Sequence, residues 1–397
     1  MKKRYRTYLA VQLVLILMMT MIGCGGQEGE TNSVQTTAAN EQNETVAEET
    51  GSVEDPESDT GSEVITEKEG TVYMLVGDAK VPRYPTYDFP AVKEALAKYA
   101  PNVEFEMLDA EASLQKQLQQ AETIATTGAD AAIVIAVETN NMGGILTTLH
   151  DAGIMTMTIA RDSRGGPLDY HVTMPFPVIA ETNAEYVENY MRENPKDTPY
   201  RIAFIGAAPG AAYYEELRAT YTPIFERWEE EGLAEIVWDV DSNSWNESGT
   251  QPVVEQCLTA LENQLDVMIV MGDSPATGAA AALSAQGLAG KVLLAGGCDG
   301  NLEGVARVQA GWQALDMMPD YAMMGETAAK IIAMHIAGEE IDESMFTGRF
   351  DNGYVEGGVP MVQIPPILIT KDTIKEVVVD RGYYTQEEID EVAAGMK

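Results

Sequence analysis

The chain has 397 residues, with 63 Asp and Glu against 25 Lys and Arg, and a formal net charge of -38. A protein this acidic repels nucleic-acid phosphates and anionic lipid headgroups, so we expect neither as a partner. Its three His and three Cys lack the spacing of a zinc site, so we also expect no metal and no cofactor.

The first 24 residues have the layout of an export signal. Four Lys and Arg stand among the first six residues, and the apolar run 8–22 leads to Cys24. The run is too short to cross a bilayer comfortably as a helix. The pattern resembles a bacterial lipoprotein signal, with Met21 where Leu is usual. We expect 1–24 to be a lipoprotein signal peptide and Cys24 to carry lipid; a plain secretory signal and an uncleaved anchor are the alternatives.

The next segment, 25–70, is rich in Glu, Thr, Ser, Gln and Asn and has no apolar periodicity. Such a composition cannot bury a core, so we expect a disordered acidic tether that holds a globular body away from a surface. The composition changes at Thr71, and the more than 300 residues that follow suffice for two lobes.

From residue 71 onward, short apolar runs alternate with stretches of helical periodicity. The runs are almost continuously apolar, as expected of strands covered on both faces, and the alternation predicts an α/β fold with parallel sheets. The predicted strands are 72–76, 131–137, 154–160, 202–205, 236–240, 267–271 and 292–295. The clearest predicted helices are 91–99, 112–126, 213–230 and 253–263.

Polar side chains follow most of these predicted strands. Asp78 comes after the first strand, Arg161 after the third, Asp273 after the sixth and Asp299 after the seventh, while Trp245 follows the fifth at a short distance. Ligands of open parallel sheets bind beyond the carboxyl ends of the strands. Each residue alone is typical of a solvated loop, but their repetition predicts that several line one cleft.

Cys257 and Cys298 are the cysteines that remain after Cys24. Each lies in or beside an apolar run, which favours buried thiols. One pair in a large exported chain does not make a disulfide scaffold, and the sequence leaves a bond between the two open.

Three stretches resemble the sugar-type periplasmic binding proteins, the ribose, galactose and xylose binders of ABC importers. Residues 108–163 read LDAEASLQKQLQQAETIATTGADAAIVIAVETNNMGGILTTLHDAGIMTMTIARDS, with an Asp, a Gln-rich helix, a Gly-Ala/Val-Asp-Ala strand and an Ala-Gly-Ile turn like the family's. Residues 266–282, DVMIVMGDSPATGAAAA, resemble its strand, Asn-Asp and alanine-rich helix. Residues 293–300, LLAGGCDG, resemble its strand before Phe-Asp-Gly. The resemblance extends over about 71–371.

The resemblance implies two Rossmann-like lobes with parallel sheets, joined by a three-crossing hinge, the type 1 fold of periplasmic binding proteins. The N-terminal lobe is expected at 71–172 plus 318–362, and the C-terminal lobe at 173–317 plus 363–397. A ligand bound between the lobes would close them about the hinge.

The resemblance also carries over site residues. Arg161 matches the Arg of the family's Asp-Arg pair, while Ala160 stands in place of the Asp. Asp299 matches the Asp of Phe-Asp-Gly, with Cys298 in place of the Phe, and Asp273 matches the Asp of Asn-Asp. Trp245 falls near a stacking aromatic and Tyr87 in the first loop. A late Gln of the family falls near Asp316, with Gln313 as the other candidate. The candidate ligand-binding residues are Arg161, Asp299, Asp273, Trp245, Asp316, Tyr87 and Asp78.

The resemblance therefore implies an extracytoplasmic solute-binding lipoprotein of an ABC importer, and not an enzyme. It is expected to bind a monosaccharide or a related small polar ligand, to meet the membrane permease, and to be lipid-anchored at the outer face of the cell membrane or in the periplasm. Two alternatives stay open: a ligand-sensing lipoprotein for a receptor or kinase, and a sugar or nucleoside hydrolase on the same fold.

Overall fold

The computed structural model describes residues 64–81, 83–210 and 212–396. The predicted signal peptide, Cys24 and most of the predicted tether lie outside these residues. The strands are β1 Gly70–Val76, β2 Val103–Asp109, β3 Ala131–Val134, β4 Met155–Ile159, β5 Tyr170–Thr173, β6 Tyr200–Gly206, β7 Ala234–Asp241, β8 Val267–Val270, β9 Leu293–Ala295, β10 Asp316–Met318, β11 Gly348–Phe350, β12 Val359–Gln363 and β13 Ile367–Ile369. The α-helices are α1 Phe89–Tyr99, α2 Leu114–Thr127, α3 Gly143–Asp151, α4 Phe176–Glu193, α5 Ala212–Glu230, α6 Glu247–Ala260, α7 Asp273–Ala285, α8 Leu302–Ala310, α9 Tyr321–Ala337 and α10 Gln386–Ala394.

Two mainly parallel sheets organise the described residues. The first has seven strands in the order β11-β12-β5-β4-β3-β1-β2, with only the β11–β12 pair antiparallel. The second has four parallel strands in the order β7-β6-β8-β9. A third, two-stranded sheet pairs β10 with β13 in antiparallel register. The predicted α/β class is confirmed.

Helices cover both faces of each large sheet, which explains the continuously apolar strands. All four residues of β3 and all four of β8 are buried. In the first lobe, α1 and α9 pack on one face and α2 and α3 on the other. In the second lobe, α4 and α5 lie against one face and α6 and α7 against the other. Each sheet with its helices is therefore one lobe.

The chain crosses between the lobes three times. The first crossing, 174–175, runs from β5 of the first sheet to α4 of the second lobe. The second, 319–320, leads from β10 to α9, which packs against α1 in the first lobe. The third, 364–366, returns from β12 to β13, and α10 then packs against α8. Within the described residues, no helix is both long and apolar enough to span a membrane.

Candidate functional site

The carboxyl ends of the strands in the two lobes meet at an interlobe cleft. The Asn140 side chain, which follows β3, donates a 3.3 Å hydrogen bond to the Gly210 carbonyl, which follows β6. Arg83, which follows β1, places its Nη1 3.8 Å from Oδ1 of Asp299, which follows β9. Ligands of open parallel sheets bind at such strand ends, so this cleft is the candidate site.

Arg83 contacts both lobes. Its Nε and Nη2 donate to the two carboxylate oxygens of Asp88 at 2.9 and 3.3 Å, in the same lobe. Its guanidinium carbon lies 5.2 Å from the centre of the Tyr321 ring, at the start of α9. The Asp88 side chain is only 1% exposed, so this bidentate ion pair holds the Arg83 guanidinium in one orientation. The sequence analysis did not single out Arg83 or Asp88.

The backbone turns sharply between the end of β4 and Arg161. Ala160 has a φ of 61°, in the left-handed region that is strained for residues other than glycine, and the Arg161 N–H donates to the Ile159 carbonyl over 2.7 Å. The Nε of Arg161 is buried and has no hydrogen-bond partner among the described residues. A buried donor without an acceptor costs free energy, which a ligand oxygen would recover.

Tyr84 in the first lobe is buried, and Tyr213 in the second lobe is partly buried. Burial raises the pKa of both hydroxyls, that of Tyr213 to about 12. The positive charge of Arg161 lowers the pKa of both hydroxyls, and the negative charge of Asp299 raises both. The contact of Arg161 with a ligand shared with Asp299 stays a prediction.

The Asp299 side chain is 41% exposed, and its Oδ1 lies 3.8 Å from Nη1 of Arg83. Desolvation by the surrounding protein and the negative charge of Asp273 raise the pKa of Asp299 to about 7, while Arg83 acts in the opposite direction. Asp299 therefore exchanges its proton near neutral pH. In its ionised form it accepts hydrogen bonds from a ligand, and in its protonated form it also donates one.

This raised pKa predicts a pH-dependent stability. The ordinary pKa of 3.8 in the unfolded chain is below the folded value of about 7, so the folded state holds an extra proton between the two values. The contribution of Asp299 to stability is therefore largest below pH 4 and is lost as the pH rises towards 7. Between pH 5 and pH 8 the free energy of unfolding of the wild type should therefore fall. For the Asp299→Asn variant we expect this fall to be smaller by about 1 kcal/mol, a figure reduced to account for solvent screening.

Urea unfolding of the ligand-free protein at several pH values measures this difference. Asp372→Asn, which changes an exposed carboxylate, is the matched control and should keep the wild-type pH dependence. An Asp299→Asn variant with the same pH dependence as the wild type would contradict the raised pKa.

Asp273 and Asp316 are buried, each 0% exposed, beside the loop that carries Asp299. The Oδ1 and Oδ2 of Asp273 accept hydrogen bonds from the main-chain N–H groups of Cys298 and Asn301, at 3.2 and 2.8 Å. Burial, together with the neighbouring carboxylate of Asp273, raises the pKa of Asp316 well above its ordinary value.

Arg307 supplies the positive charge beside this carboxyl pair, although its side chain is almost fully buried. It donates to Gln313 Oε1 at 2.9 Å, Thr277 Oγ1 at 2.8 Å and the Asp273 carbonyl at 3.2 Å. Arg307 thus fixes the start of α7, and the two bonds of the Asp273 carboxylate tie that point to the loop that carries Asp299. The predicted contact of these two carboxyls with a ligand stays a prediction.

Three aromatic rings pack together in the second lobe. The ring centres of Trp245 and Tyr213 are 4.7 Å apart at an interplanar angle of 46°, and those of Tyr213 and Phe176 are 5.5 Å apart. Trp245 is half-buried, which leaves part of its ring accessible. The sequence analysis named Trp245 and missed Tyr213. The position of Tyr213 just after the glycine-containing turn that follows β6 could have indicated it.

Tyr87 belongs to a cluster of tyrosines at one end of the cleft. Its ring stacks on Tyr321 with centres 4.8 Å apart and meets the rings of Tyr383 and Tyr384 edge-on. Its hydroxyl is hydrogen-bonded to that of Tyr384. Much of the Tyr87 side chain is therefore engaged by protein, and the predicted stacking of its ring on a ligand stays a prediction.

The remaining candidates of the sequence analysis have local contacts. The Oδ1 of Asp78 accepts from the Lys80 N–H over 3.0 Å within its own turn, and no described contact joins it to Arg161 or Asp299.

Cys257 and Cys298 are both free thiols, and burial raises the pKa of Cys257 to about 12. No cluster of His, Cys, Asp or Glu in the described part of the chain is arranged to hold a metal ion.

Comparison with known proteins adds relatives that share this architecture. The model of the family described as "Periplasmic binding protein domain" matches residues 72–340, more than half of the chain. The D-xylose-binding periplasmic protein of Escherichia coli (strain K12) is 24% identical over 324 residues, which are 81% of this chain and 93% of that protein. The D-xylose-binding periplasmic protein of Haemophilus influenzae is 24% identical over 273 residues, 69% of this chain and 79% of that protein.

Solved structures show the same fold. An ABC transporter solute binding protein from Clostridium phytofermentans with bound β-D-glucose has a TM-score of 0.69 and 18% identity, over 80% of this chain and 99% of that one. The Caulobacter myo-inositol binding protein has a TM-score of 0.62 and 21% identity, over 78% of this chain and 96% of that one. Fold and family model agree with the resemblance found in the sequence: the chain belongs to the periplasmic binding protein family and is similar to its sugar-type members.

Proposed function

We propose that the protein is the extracytoplasmic solute-binding protein of an ABC importer, with a monosaccharide or a related polyol as its ligand. The main support is the interlobe cleft at the carboxyl ends of the strands, where Asp299 comes within 3.8 Å of Arg83 of the other lobe and the buried Nε of Arg161 has no hydrogen-bond partner among the described residues. The relatives point in the same direction, because two are named D-xylose-binding proteins and two structural neighbours hold glucose and myo-inositol.

The chemistry of the cleft suits a ligand rich in hydroxyl groups. A sugar hydroxyl both donates and accepts hydrogen bonds, so it can pair with the unpartnered Nε of Arg161 and with the carboxylate of Asp299. The flat apolar face of a sugar ring packs well on aromatic side chains such as Trp245 and Tyr213. Binding of this kind needs no covalent step, and the ligand leaves unchanged.

Closure of the lobes is the proposed signal to the membrane permease. We take the N-terminal lobe as 71–172 plus 318–362 and the C-terminal lobe as 173–317 plus 363–397, hinged at the three crossings. A ligand that contacts both lobes binds the closed form more tightly than the open form and shifts the population towards it. The closed form would then present a surface that the permease recognises.

A thermal-shift screen over pentoses, hexoses, polyols and nucleosides, followed by calorimetry, tests this function. We expect a sugar or polyol to raise the free energy of unfolding by about 2.7 kcal/mol at a ligand concentration of 100 Kd. The ligand recovered afterwards should be intact. Failure of every compound to bind would contradict the proposal, and turnover of a bound glycoside or nucleoside would favour a hydrolase instead.

We also propose that Cys24 is lipidated and that 25–70 tethers the binding body to the membrane. Two or more acyl chains give stable rather than transient anchoring. We expect Cys24→Ala expressed in a bacterium to lose incorporation of labelled palmitate and to leave the membrane fraction. Cys257→Ala is the control and should stay labelled. Label in Cys24→Ala equal to that in the wild type would contradict the lipid anchor.

A further inference from the structure

A cavity lies between the lobes, beside the first and third crossings. Its volume is about 350 Å³, within the range of about 300–1,000 Å³ that is common for small-molecule sites. Both lobes contribute to its walls: Asp162 follows β4, Gln363 ends β12, and Glu216 lies in α5. We call this cavity the hinge pocket.

The hinge pocket shares a wall with the proposed sugar site. Ala160 and Tyr213 line it, and Ala160 directly precedes Arg161. The Tyr213 hydroxyl lies within the influence of both Arg161 and Asp299. Because Ala160 lines the pocket and precedes Arg161 in the chain, a molecule bound beside Arg161 would lie close to the hinge pocket.

Aromatic rings supply apolar surface in the hinge pocket. Phe176 and Tyr213 lie side by side, with centres 5.5 Å apart. Phe350, on the opposite lobe, is held by the Arg164 guanidinium 5.3 Å from its ring centre and by His171 at 4.9 Å. Rings held in this way offer rigid surfaces against which the C–H face of a sugar can pack.

The charges of the hinge pocket favour a neutral ligand. Burial lowers the pKa of His171 to about 4, so this ring is neutral at pH 7. The Nε of Arg164 already donates to Asp162 at 2.9 Å, and Arg349 donates to the Gly358 carbonyl at 3.1 Å. The charged lining residues are two arginines and three carboxylates, Arg164, Arg349, Asp162, Glu216 and Asp351. A phosphate or a uronate would meet more negative than positive charge, whereas hydroxyl groups can pair with both signs.

We propose that the hinge pocket binds a second, neutral sugar unit, so that the protein takes a disaccharide with one ring beside Arg161 and Asp299 and the other beside Gln363 and Glu216. This inference rests on the proposed sugar-binding function. The amide of Gln363 both donates and accepts, and the carboxylate of Glu216 accepts from the facing lobe. The second ring therefore bridges the lobes close to the hinge and adds to the stability of the closed form.

Calorimetry with matched pairs of sugars tests the proposal: D-xylose against xylobiose, and D-glucose against cellobiose and maltose. We expect at least one disaccharide to bind at least about tenfold more tightly than its monosaccharide. Gln363→Ala and Glu216→Gln should each weaken that disaccharide by about tenfold, the loss expected from one well-made hydrogen bond, and leave the monosaccharide within about twofold. Glu215→Gln, next to Glu216 on the same helix but outside the pocket, should change neither affinity.

Three outcomes would contradict the binding of a second sugar unit in the hinge pocket but would leave the proposed sugar binding intact. They are a monosaccharide that binds as tightly as every disaccharide built from it, variants that weaken both sugars equally, and variants that weaken neither. A different result would be that none of the five sugars binds, although circular dichroism shows that the protein is folded. That result would contradict both the second sugar unit and the expectation that the ligand is a xylose- or glucose-type sugar.

Discussion

Replacing Asp273 by Ala is expected to lower the free energy of unfolding by about 3–5 kcal/mol. The change removes the acceptor of the Cys298 and Asn301 main-chain N–H groups, which bind its two carboxylate oxygens. It also removes negative charge beside Arg307, which is 2% exposed. Buried donors and charges that lose their partners cost far more than the same groups do at the surface.

Two further variants make this prediction specific. The Asp273→Asn variant keeps the shape of the side chain and one hydrogen-bond acceptor. Its free energy of unfolding should therefore fall by much less than that of the Asp273→Ala variant. Ser274→Ala changes the exposed neighbour and should stay within about 0.5 kcal/mol of the wild type. Urea unfolding followed by circular dichroism measures all three. An Asp273→Ala protein as stable as Ser274→Ala would contradict the role of this carboxylate in holding the loop after β9.

The fold could be predicted largely from strands that are buried on both faces. The predicted strand 267–271 agrees with β8, Val267–Val270, because all four of its residues are buried and apolar. The strand β2 was missed because it lies at the edge of its sheet. There Glu104 and Glu106 are exposed and break the apolar run. The pairing of β10 with β13 was also missed, since it joins residues about 50 apart through the hinge.

The position of a residue at a strand end could be predicted, but its degree of burial could not. Arg161 and Asp299 follow β4 and β9, at the strand ends where the rule for parallel sheets expects a ligand, and their contact with a ligand stays a prediction. Asp273 and Asp316 stand next to strands as well, yet both are fully buried and bond to main-chain groups. Which carboxylates reach the cleft depends on the packing of the loop after β9, and local sequence does not encode that packing.

The contact of Arg83 with Asp299 illustrates the same limit. The two residues are more than 200 positions apart and lie in different lobes, so no local pattern joins them. The Asp88 partner of Arg83 lies only five positions away, but an Arg and an Asp at this spacing are common on exposed turns. Only the folded chain places the pair beside Tyr321 and the cleft.

Replacing Arg161 by Ala is expected to weaken binding of the sugar found in the screen by at least about tenfold, or about 1.5 kcal/mol. The ligand oxygens that pair with the guanidinium would be left without a donor inside a closed cleft. Asp299→Ala should have an effect of similar size for the same reason. Arg201→Ala, at the end of β6 away from the cleft, is the matched control and should keep the wild-type affinity. Calorimetry at pH 7 measures all three.

The double variant Arg161→Ala/Asp299→Ala tests whether the two residues act on one ligand. The proposed site places both side chains at the strand ends that face the cleft, so a single sugar ring would contact both. Residues that share a partner are coupled, and we expect the two losses of binding free energy to differ from simple addition by at least about 0.5 kcal/mol. Unchanged affinity in both single variants would remove these residues from the site, and strictly additive losses would argue against a shared ligand contact.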